Sequence, residues 1–401
     1  MIKPIWIKSS LFFFFIVSII GTSLRAIYFL KLPFDYAHLV HAHSHVAFQG
    51  WIYIVLFVLC TNLFLTKKQI EKGHYLLQLK LTLFIIFGIL VSFSLQGYGV
   101  YSIIFSTLFQ FMNYWFIFCF FKDLKQPSLQ YKNSISVLFL KTGLWLAVLS
   151  TLMPWGVGIL SAKGMSDTEA YQSFIYSFLH FQYNGWFLFV CFALFLKWLE
   201  IDNIAPNKKL MLNFYRCLIL AIFPALTLSL LGMSFRKSLI IPAHLAGIFQ
   251  IIGGVFLCMA LKPFFKNWIF KKAFWIRILI ITFLFSFFLK LTFQYLSVFQ
   301  IFKDFAFHNK HTVLAYLHLS LIGVISVFIL AFLFDLKWLN LHRFSQGGIL
   351  LLFSGFIVTE MVLLLGAFSV WYSYRILFYG SACMALGIFL LLLSPQKMKD
   401  E

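Results

Sequence analysis

The chain has 401 residues, of which 62% are hydrophobic, 20% are aromatic and only 11% are charged. Soluble domains are usually about 45–50% apolar and about 25% charged, so this composition excludes a soluble enzyme, a disordered chain and a secreted disulfide scaffold. The net charge of +20 comes from basic residues between apolar blocks, where anionic lipid headgroups and not nucleic acid are the expected partners.

Twelve apolar segments are long enough to span a membrane, since a span needs roughly 20 apolar residues to cross about 30 Å of hydrocarbon. In chain order they cover 9–30, 37–65, 78–97, 99–121, 136–160, 171–198, 211–234, 239–262, 273–300, 310–334, 346–368 and 371–394. Only the turn Gln96-Gly97-Tyr98-Gly99 separates spans 3 and 4. We predict an all-α polytopic membrane helical bundle that forms a single integral membrane domain over residues 1–401.

The basic residues predict the orientation of these spans. Most of them lie at the two termini and in the loops after even-numbered spans, for example Lys67 and Lys68 after span 2 and Lys208 and Lys209 after span 6. By the positive-inside rule both termini face the cytoplasm and the odd-numbered loops face outward. The predicted location is the inner (plasma) membrane of a bacterium.

The six cysteines are scattered singly, without a CxxC pair or a CxxCH motif. We therefore expect neither a structural disulfide nor a zinc–thiolate site nor a covalently attached c-type haem.

Nine of the eleven histidines lie at the outer ends of spans 2, 6, 8 and 10. They are His38, His41, His43 and His45 in span 2, His180 in span 6, His244 in span 8, and His308, His311 and His318 in span 10. All four spans run from outside to inside, so these histidines share one depth zone. Ionisable residues at membrane depth are energetically expensive and are functional candidates by default.

Helical spacing places His38, His41 and His45 on one face of span 2, whereas His43 points elsewhere. His45 and His318 each lie on the order of 10–15 Å into their helices. Two imidazoles at one depth on facing helices can bind a haem iron from both sides, so we predict His45 and His318 as axial ligands of a b-type haem. Gly50 and Gly323 would let the flat macrocycle approach the backbone.

The remaining histidines suggest a second metal or haem site, formed by His180 with His41, His311 or His244. Haem propionates need cations near the outer surface, and the candidates are Arg25, Arg236, Lys237 and Arg375. The plainer interpretation, in which a histidine at a span end is an interfacial residue, stays open for His38, His43, His244 and His308.

Three charged residues lie deep in the apolar segments. Lys141 in span 5 is expected to extend its amine to the inner interface. Lys290 in span 9 and Glu360 in span 11 are candidates for proton transfer or for pairing with each other.

Several motifs resemble subunit I of haem–copper oxidases and nitric oxide reductases, a family of twelve-span proteins with histidines at the outer ends of helices 2, 6 and 10. Span 1 carries Gly21-Thr22-Ser23-Leu24-Arg25-Ala26, which is similar to the arginine-bearing end of the family's first helix. Span 10 reads Ala315-Tyr316-Leu317-His318 where the family has A-H-x-H.

The resemblance implies that His318 and His45, with His41 or His43 as rivals, bind a low-spin haem, and that Arg375 binds a propionate. It further implies copper as a second metal, a cytochrome or quinol as electron donor, partner subunits, and the oxidoreductase activity of a terminal oxidase or nitric oxide reductase.

The sequence also departs from this family. Span 7 has no histidine where the family has the His-His pair of its copper site, and Tyr316 stands where the family has its high-spin haem ligand. His180-Phe-Gln-Tyr183 is only loosely similar to the family's H-P-E-V-Y. The histidines and Gly50 of span 2 are also similar to the H-A-H-x-x-x-x-G motif of NnrS-type proteins, which contain haem and copper and are linked to nitric oxide stress.

Two function classes compete with a haem protein of respiratory electron transfer or nitric oxide handling. One is a transporter of a transition metal or a proton-coupled solute, with the outer histidines as its entry site. Transporters often contain repeats with matched Gly or Pro breaks, but Pro154 and Pro224 have no clear counterparts, so we predict no internal repeat. The other is a non-catalytic membrane scaffold, which would leave the histidine clustering unexplained.

Overall fold

The computed structural model describes residues 2, 5–125, 134–302, 305, 307 and 309–394, and of Arg236 only the backbone. His308 lies outside the described residues. All regular secondary structure in the described part is helical, and twelve helices are long and apolar enough to cross a membrane. The predicted all-α polytopic bundle is therefore confirmed, and the protein is a multi-pass membrane protein.

We number the twelve spanning helices in chain order. They are α1 Ile5–Ala26, α2 Tyr36–Phe64, α3 Tyr75–Gln96, α4 Val100–Leu124, α5 Ile135–Ala162, α6 Glu169–Ile201, α7 Lys208–Leu230, α8 Lys237–Leu261, α9 Phe274–Leu296, α10 Lys310–Asp335, α11 Arg343–Ala367 and α12 Tyr374–Leu393. Short helices over Lys67–Lys72 and Phe265–Phe270 precede α3 and α9.

The turn predicted between spans 3 and 4 is present. Gly97 ends α3 with a φ of 59°, a left-handed conformation that favours glycine. The hydroxyl of Ser102 then caps the start of α4 by accepting a hydrogen bond from the backbone N–H of Gly99 at 2.9 Å. This local chemistry separates two apolar helices that hydropathy alone nearly merges.

The first helix lies four residues closer to the N-terminus than predicted, because it begins at Ile5 and ends at Ala26. The apolar residues that follow it form a turn. Their rings pack against α12, with Tyr28 stacked on Tyr374 at 3.8 Å between ring centroids and Phe29 edge-on to Phe378 at 5.4 Å. A hydropathy profile assigns such aromatic residues to the membrane span, although aromatic rings also favour the membrane interface. The predicted span therefore extended beyond the end of the helix.

The chain forms two compact units, divided within α10 after Ala331. In unit 1, α1 packs against α2 and α12, α12 packs against α11, and α3 packs against α2 and α4. In unit 2, α6 packs against α5 and α7, α8 packs against α7 and α9, and α9 packs against α10. The single membrane domain inferred from the sequence stays a prediction.

All six cysteines are described, and all are free thiols. The expectation that the chain has no disulfide is therefore confirmed.

Candidate functional site

Three of the twelve spans contain a π-helical segment, and each segment follows or includes a histidine. Among the described residues these segments are Ala47–Tyr53 in α2, His180–Phe187 in α6 and Leu319–Ser326 in α10. In each case a glycine lies five residues after the histidine, as in His45 and Gly50, His180 and Gly185, and His318 and Gly323. The three helices are spaced by four in chain order, so this pattern recurs at every fourth span. π-Helical turns are frequent at functional sites.

The same three helices are the most enclosed of the described spans. In an apolar 18-residue stretch of each helix, the buried share is 83% in α2, 89% in α6 and 78% in α10. In the other nine spanning helices this share is 28–56%. A helix that is buried on most of its circumference presents few residues to lipid. Polar groups on α2, α6 and α10 are therefore placed mostly against protein.

The glycines of the repeat serve helix packing at two of the three positions. A Cβ on Gly50 would lie 2.8 Å from Phe13 of α1, and a Cβ on Gly185 would lie 3.1 Å from Leu146 of α5. The space that we expected at Gly50 for a macrocycle is thus occupied by Phe13.

His41 and His45 lie on one face of α2, as their spacing predicts. The ring of His45 stacks on Phe93 of α3 with 4.3 Å between centroids and an interplanar angle of 19°. Its Nε2 is 3.3 Å from the hydroxyl oxygen of Tyr98, and the ring of His41 meets Tyr98 edge-on at 4.5 Å. Both residues are partly exposed.

His43 faces away from His45, as predicted, and contacts α1. Its Nδ1 donates to the carbonyl oxygen of Val17 at 3.0 Å. A Cβ on Gly21 would lie 2.9 Å from the His43 ring, so this glycine makes room for the contact. The geometry therefore favours His45 and His41 over their rival His43 as ligands, because His43 links α1 to α2.

His180 is fully buried, and both of its ring nitrogens are hydrogen-bonded. Nε2 lies 2.8 Å from the carbonyl oxygen of Ile222 in α7, and Nδ1 lies 3.2 Å from Nδ2 of Asn184. A carbonyl oxygen can only accept, so Nε2 carries the hydrogen and Nδ1 accepts from the Asn184 amide. A metal requires a ring nitrogen with a free lone pair. His180 is therefore a hydrogen-bonded core residue in this structure, and we leave it out of the metal and haem sites.

The polar residues of α10 divide between two environments. His318, at the last α-helical position before the π-helical segment, and His311 are both partly exposed. Tyr316 instead faces the interior of unit 2, where its ring lies 6.3 Å from that of Tyr183 and 5.9 Å from the amine of Lys290. Tyr316 thus belongs to a tyrosine–lysine cluster in unit 2.

His244, near the N-terminal end of α8, lies in aromatic surroundings. Its ring packs edge-on to Tyr295 at 6.0 Å and to Phe299 at 5.6 Å. These contacts agree with a packed interfacial residue.

The predicted propionate-binding cations are found in different settings. Arg25, in the last turn of α1, donates to the Gly21 carbonyl at 3.3 Å and interacts electrostatically with Glu360 of α11. Arg375 is exposed in the first turn of α12, and Lys237 is exposed at the start of α8. Arg25 and Glu360 therefore interact within unit 1, and the amine of Lys290 donates to Gln294 in unit 2.

Within the part of the chain that the structure describes, no three or more His, Cys, Asp or Glu residues are arranged to hold a metal ion. The second metal centre implied by the resemblance therefore has no preformed set of three protein ligands there. A haem differs from such a centre because the macrocycle supplies four ligands and the protein needs to supply only one or two.

No protein-family model matches the chain, and a comparison with curated proteins also finds no match.

Proposed function

We propose that the protein binds one b-type haem near the outer face of a bacterial inner membrane, through His45 and His318, and uses it in respiratory electron transfer or in nitric oxide handling. The observation that supports this choice is the difference among the three equivalent histidines. His45 and His318 are partly exposed residues beside a π-helical segment, whereas His180 is fully buried with both ring nitrogens hydrogen-bonded. The pairing of His45 with His318 rests on their equivalent positions in the sequence, because the two histidines belong to different units.

The residues around His45 fit the role of an axial ligand. Phe93 stacks on the imidazole and restricts its orientation, and the Tyr98 hydroxyl interacts with Nε2, the nitrogen that a metal could use once Tyr98 rotates away. Arg375 is exposed and can bind a propionate, and Arg25 supplies a second positive charge in unit 1. When bound, a haem supplies a one-electron iron couple, whose potential depends on its axial ligands and surroundings.

We propose electron transfer or nitric oxide handling in preference to oxygen reduction at a haem–copper centre. The reason is the ligand set, since α7 contains no histidine where the oxidase family has two. The electron donor would then be a cytochrome or a quinol, and partner subunits are part of this proposal. In this proposal both termini lie in the cytoplasm. The basic loops on the same side of the membrane contact anionic lipids.

Absorption spectra of the full-length protein, produced with ample haem and purified in detergent, test this function. We expect a Soret band, and after reduction with dithionite sharp α and β bands, in the wild type and in His43→Ala. His43 is a matched control because it lies on α2 but faces α1. The bands should be lost in His45→Ala and in His318→Ala, and His41→Ala tests the rival position on the same face.

Two results would contradict the proposal. Bands that persist in both His45→Ala and His318→Ala would exclude these axial ligands. A colourless wild-type protein would exclude the haem and would favour the histidine-lined transporter of a transition metal or a proton-coupled solute.

A further inference from the structure

A cavity of about 20 Å³ lies inside unit 2, beside α9. Most of its wall is apolar, but three polar side chains line it, Asn184 from α6, Gln250 from α8 and Lys290 from α9. A cavity above about 10–15 Å³ can hold a water molecule when polar partners surround it. The cavity is therefore large enough and polar enough for water.

Lys290 is the charged group in this wall, and only 2% of its surface is exposed. Its amine donates to Oε1 of Gln294 at 3.2 Å and lies 5.9 Å from the centre of the Tyr316 ring. An ammonium group carries three N–H donors. Within the described part of unit 2, Gln294 uses one donor, and the other two have no protein acceptor within hydrogen-bonding distance.

Two buried acceptors line the same cavity without a donor in the described residues, Oδ1 of Asn184 and Oε1 of Gln250. The direction of the Asn184 side chain follows from its neighbours. Because the Ile222 carbonyl requires the hydrogen on Nε2 of His180, Nδ1 of that ring accepts from the Asn184 amide nitrogen. Asn184 therefore keeps its amide nitrogen on His180 and leaves its oxygen available.

We propose that this cavity is a hydrated proton-binding site, in which water joins the amine of Lys290 to the side-chain oxygens of Asn184 and Gln250. A water molecule accepts from one of the remaining N–H groups of Lys290 and donates to the two carbonyl oxygens, so both buried acceptors are satisfied. The site does not depend on haem binding.

The proton transfer at this site involves Lys290 and water alone. An N–H bond of the ammonium breaks as an O–H bond forms on the water, which yields the neutral amine and a hydronium ion. The reverse step reloads Lys290. The titratable groups that face the lysine are Tyr316, with Tyr183 beside it, and His180, which interacts with it electrostatically. No carboxylate is among the residues that line the cavity.

Solid-state NMR of the full-length protein in lipid bilayers, with ¹⁵N in the lysine side chains, tests the proposal. The Lys290 signal is the one lost in Lys290→Met and kept in Lys141→Met, which removes another lysine of a spanning helix. We expect this signal to receive magnetisation from water and to change between ammonium and amine within about pH 5–10. A signal without transfer from water, or one fixed in a single form over this range, would overturn the proposal.

Gln250→Leu and Asn184→Leu retain Lys290 and test the site even if Lys290→Met misfolds. Each removes one water acceptor, so we expect weaker transfer from water to the Lys290 signal. The midpoint of its titration should also move by about one pH unit, as expected for a lost hydrogen bond to a charged group. Unchanged transfer and an unchanged midpoint in both variants would show that the water does not join these residues.

Discussion

Gly348 of α11 and Gly387 of α12 bring the backbones of their helices into contact. A Cβ on Gly348 would lie 2.8 Å from the carbonyl oxygen of Gly387, and a Cβ on Gly387 would lie 2.7 Å from that of Gly348. Gly355 and Gly380 repeat this arrangement seven residues away along each helix. Membrane helices pack closely where small residues face each other, because the hydrophobic effect does not drive association within lipid.

Gly348→Ala should therefore destabilise the protein, because a methyl group at this position meets backbone that cannot move alone. We expect a loss of about 1–3 kcal/mol in the free energy of unfolding, typical of an overpacked core, measured by titration with SDS. Gly347→Ala is the matched control, since its nearest neighbour would be the Leu390 side chain at 3.8 Å. This neighbouring variant should be neutral or stabilising by about 0.5–1 kcal/mol, because alanine favours helix over glycine.

Asp35 should make the start of α2 sensitive to acid. Its carboxylate accepts a hydrogen bond from the backbone N–H of His38 at 3.0 Å, and this bond lowers the pKa of Asp35. An Asp in the unfolded chain has a pKa of about 3.9, so the stabilisation is complete above that pH and is lost as pH falls through the folded-state value.

Thermal unfolding of the wild type, Asp35→Asn and Asp35→Ala at different pH values tests this dependence. Asparagine also caps a helix but does not titrate, so the stability of the wild type relative to Asp35→Asn should fall below about pH 4. Asp35→Ala should be less stable than Asp35→Asn at every pH. A difference between the wild type and Asp35→Asn that does not vary with pH would refute the prediction.

Lys272 should contribute more to stability than its neighbour Lys271. The amine of Lys272 lies 2.6 Å from the carboxylate of Asp202 and 5.3 Å from the rings of Trp198 and Trp268, with 9% of its side chain exposed. Lys272→Met leaves the partly buried carboxylate without its cation, and we expect a loss of about 1–3 kcal/mol in the free energy of unfolding. Lys271 is exposed, and Lys271→Met should change this free energy by less than about 0.5 kcal/mol. Equal effects of the two substitutions would argue against the contribution of the ion pair.

The orientation can be measured with single cysteines in a variant that lacks the six native thiols. Ser166→Cys lies between α5 and α6, on the predicted outer side, and Lys67→Cys lies between α2 and α3, on the predicted inner side. A membrane-impermeant maleimide added to intact cells or spheroplasts should label position 166, and it should label position 67 only after lysis. The opposite pattern would reverse the topology inferred from the lysines.

The repeat of the histidine, the glycine and the π-helical segment was visible only in part in the sequence. The spacing of five between His180 and Gly185 also occurs between His45 and Gly50, and a tryptophan follows each of these glycines. A comparison of every fourth span would have found this signal. The π-helical geometry could not be predicted in this way, because it depends on how each helix accommodates its neighbours.

The sequence by itself determined the twelve spans, the absence of disulfides and the common face of His41 and His45. Hydropathy and the helical period are local properties, so a window of about 20 residues contains the information that decides them. Only the tertiary structure decided that His180 bonds to Ile222, that Glu360 interacts electrostatically with Arg25, and that Lys290 lies beside a cavity with Asn184 and Gln250. These partners come from different helices, and the hydrogen bonds of a buried polar group depend on which helix packs against it and at what height.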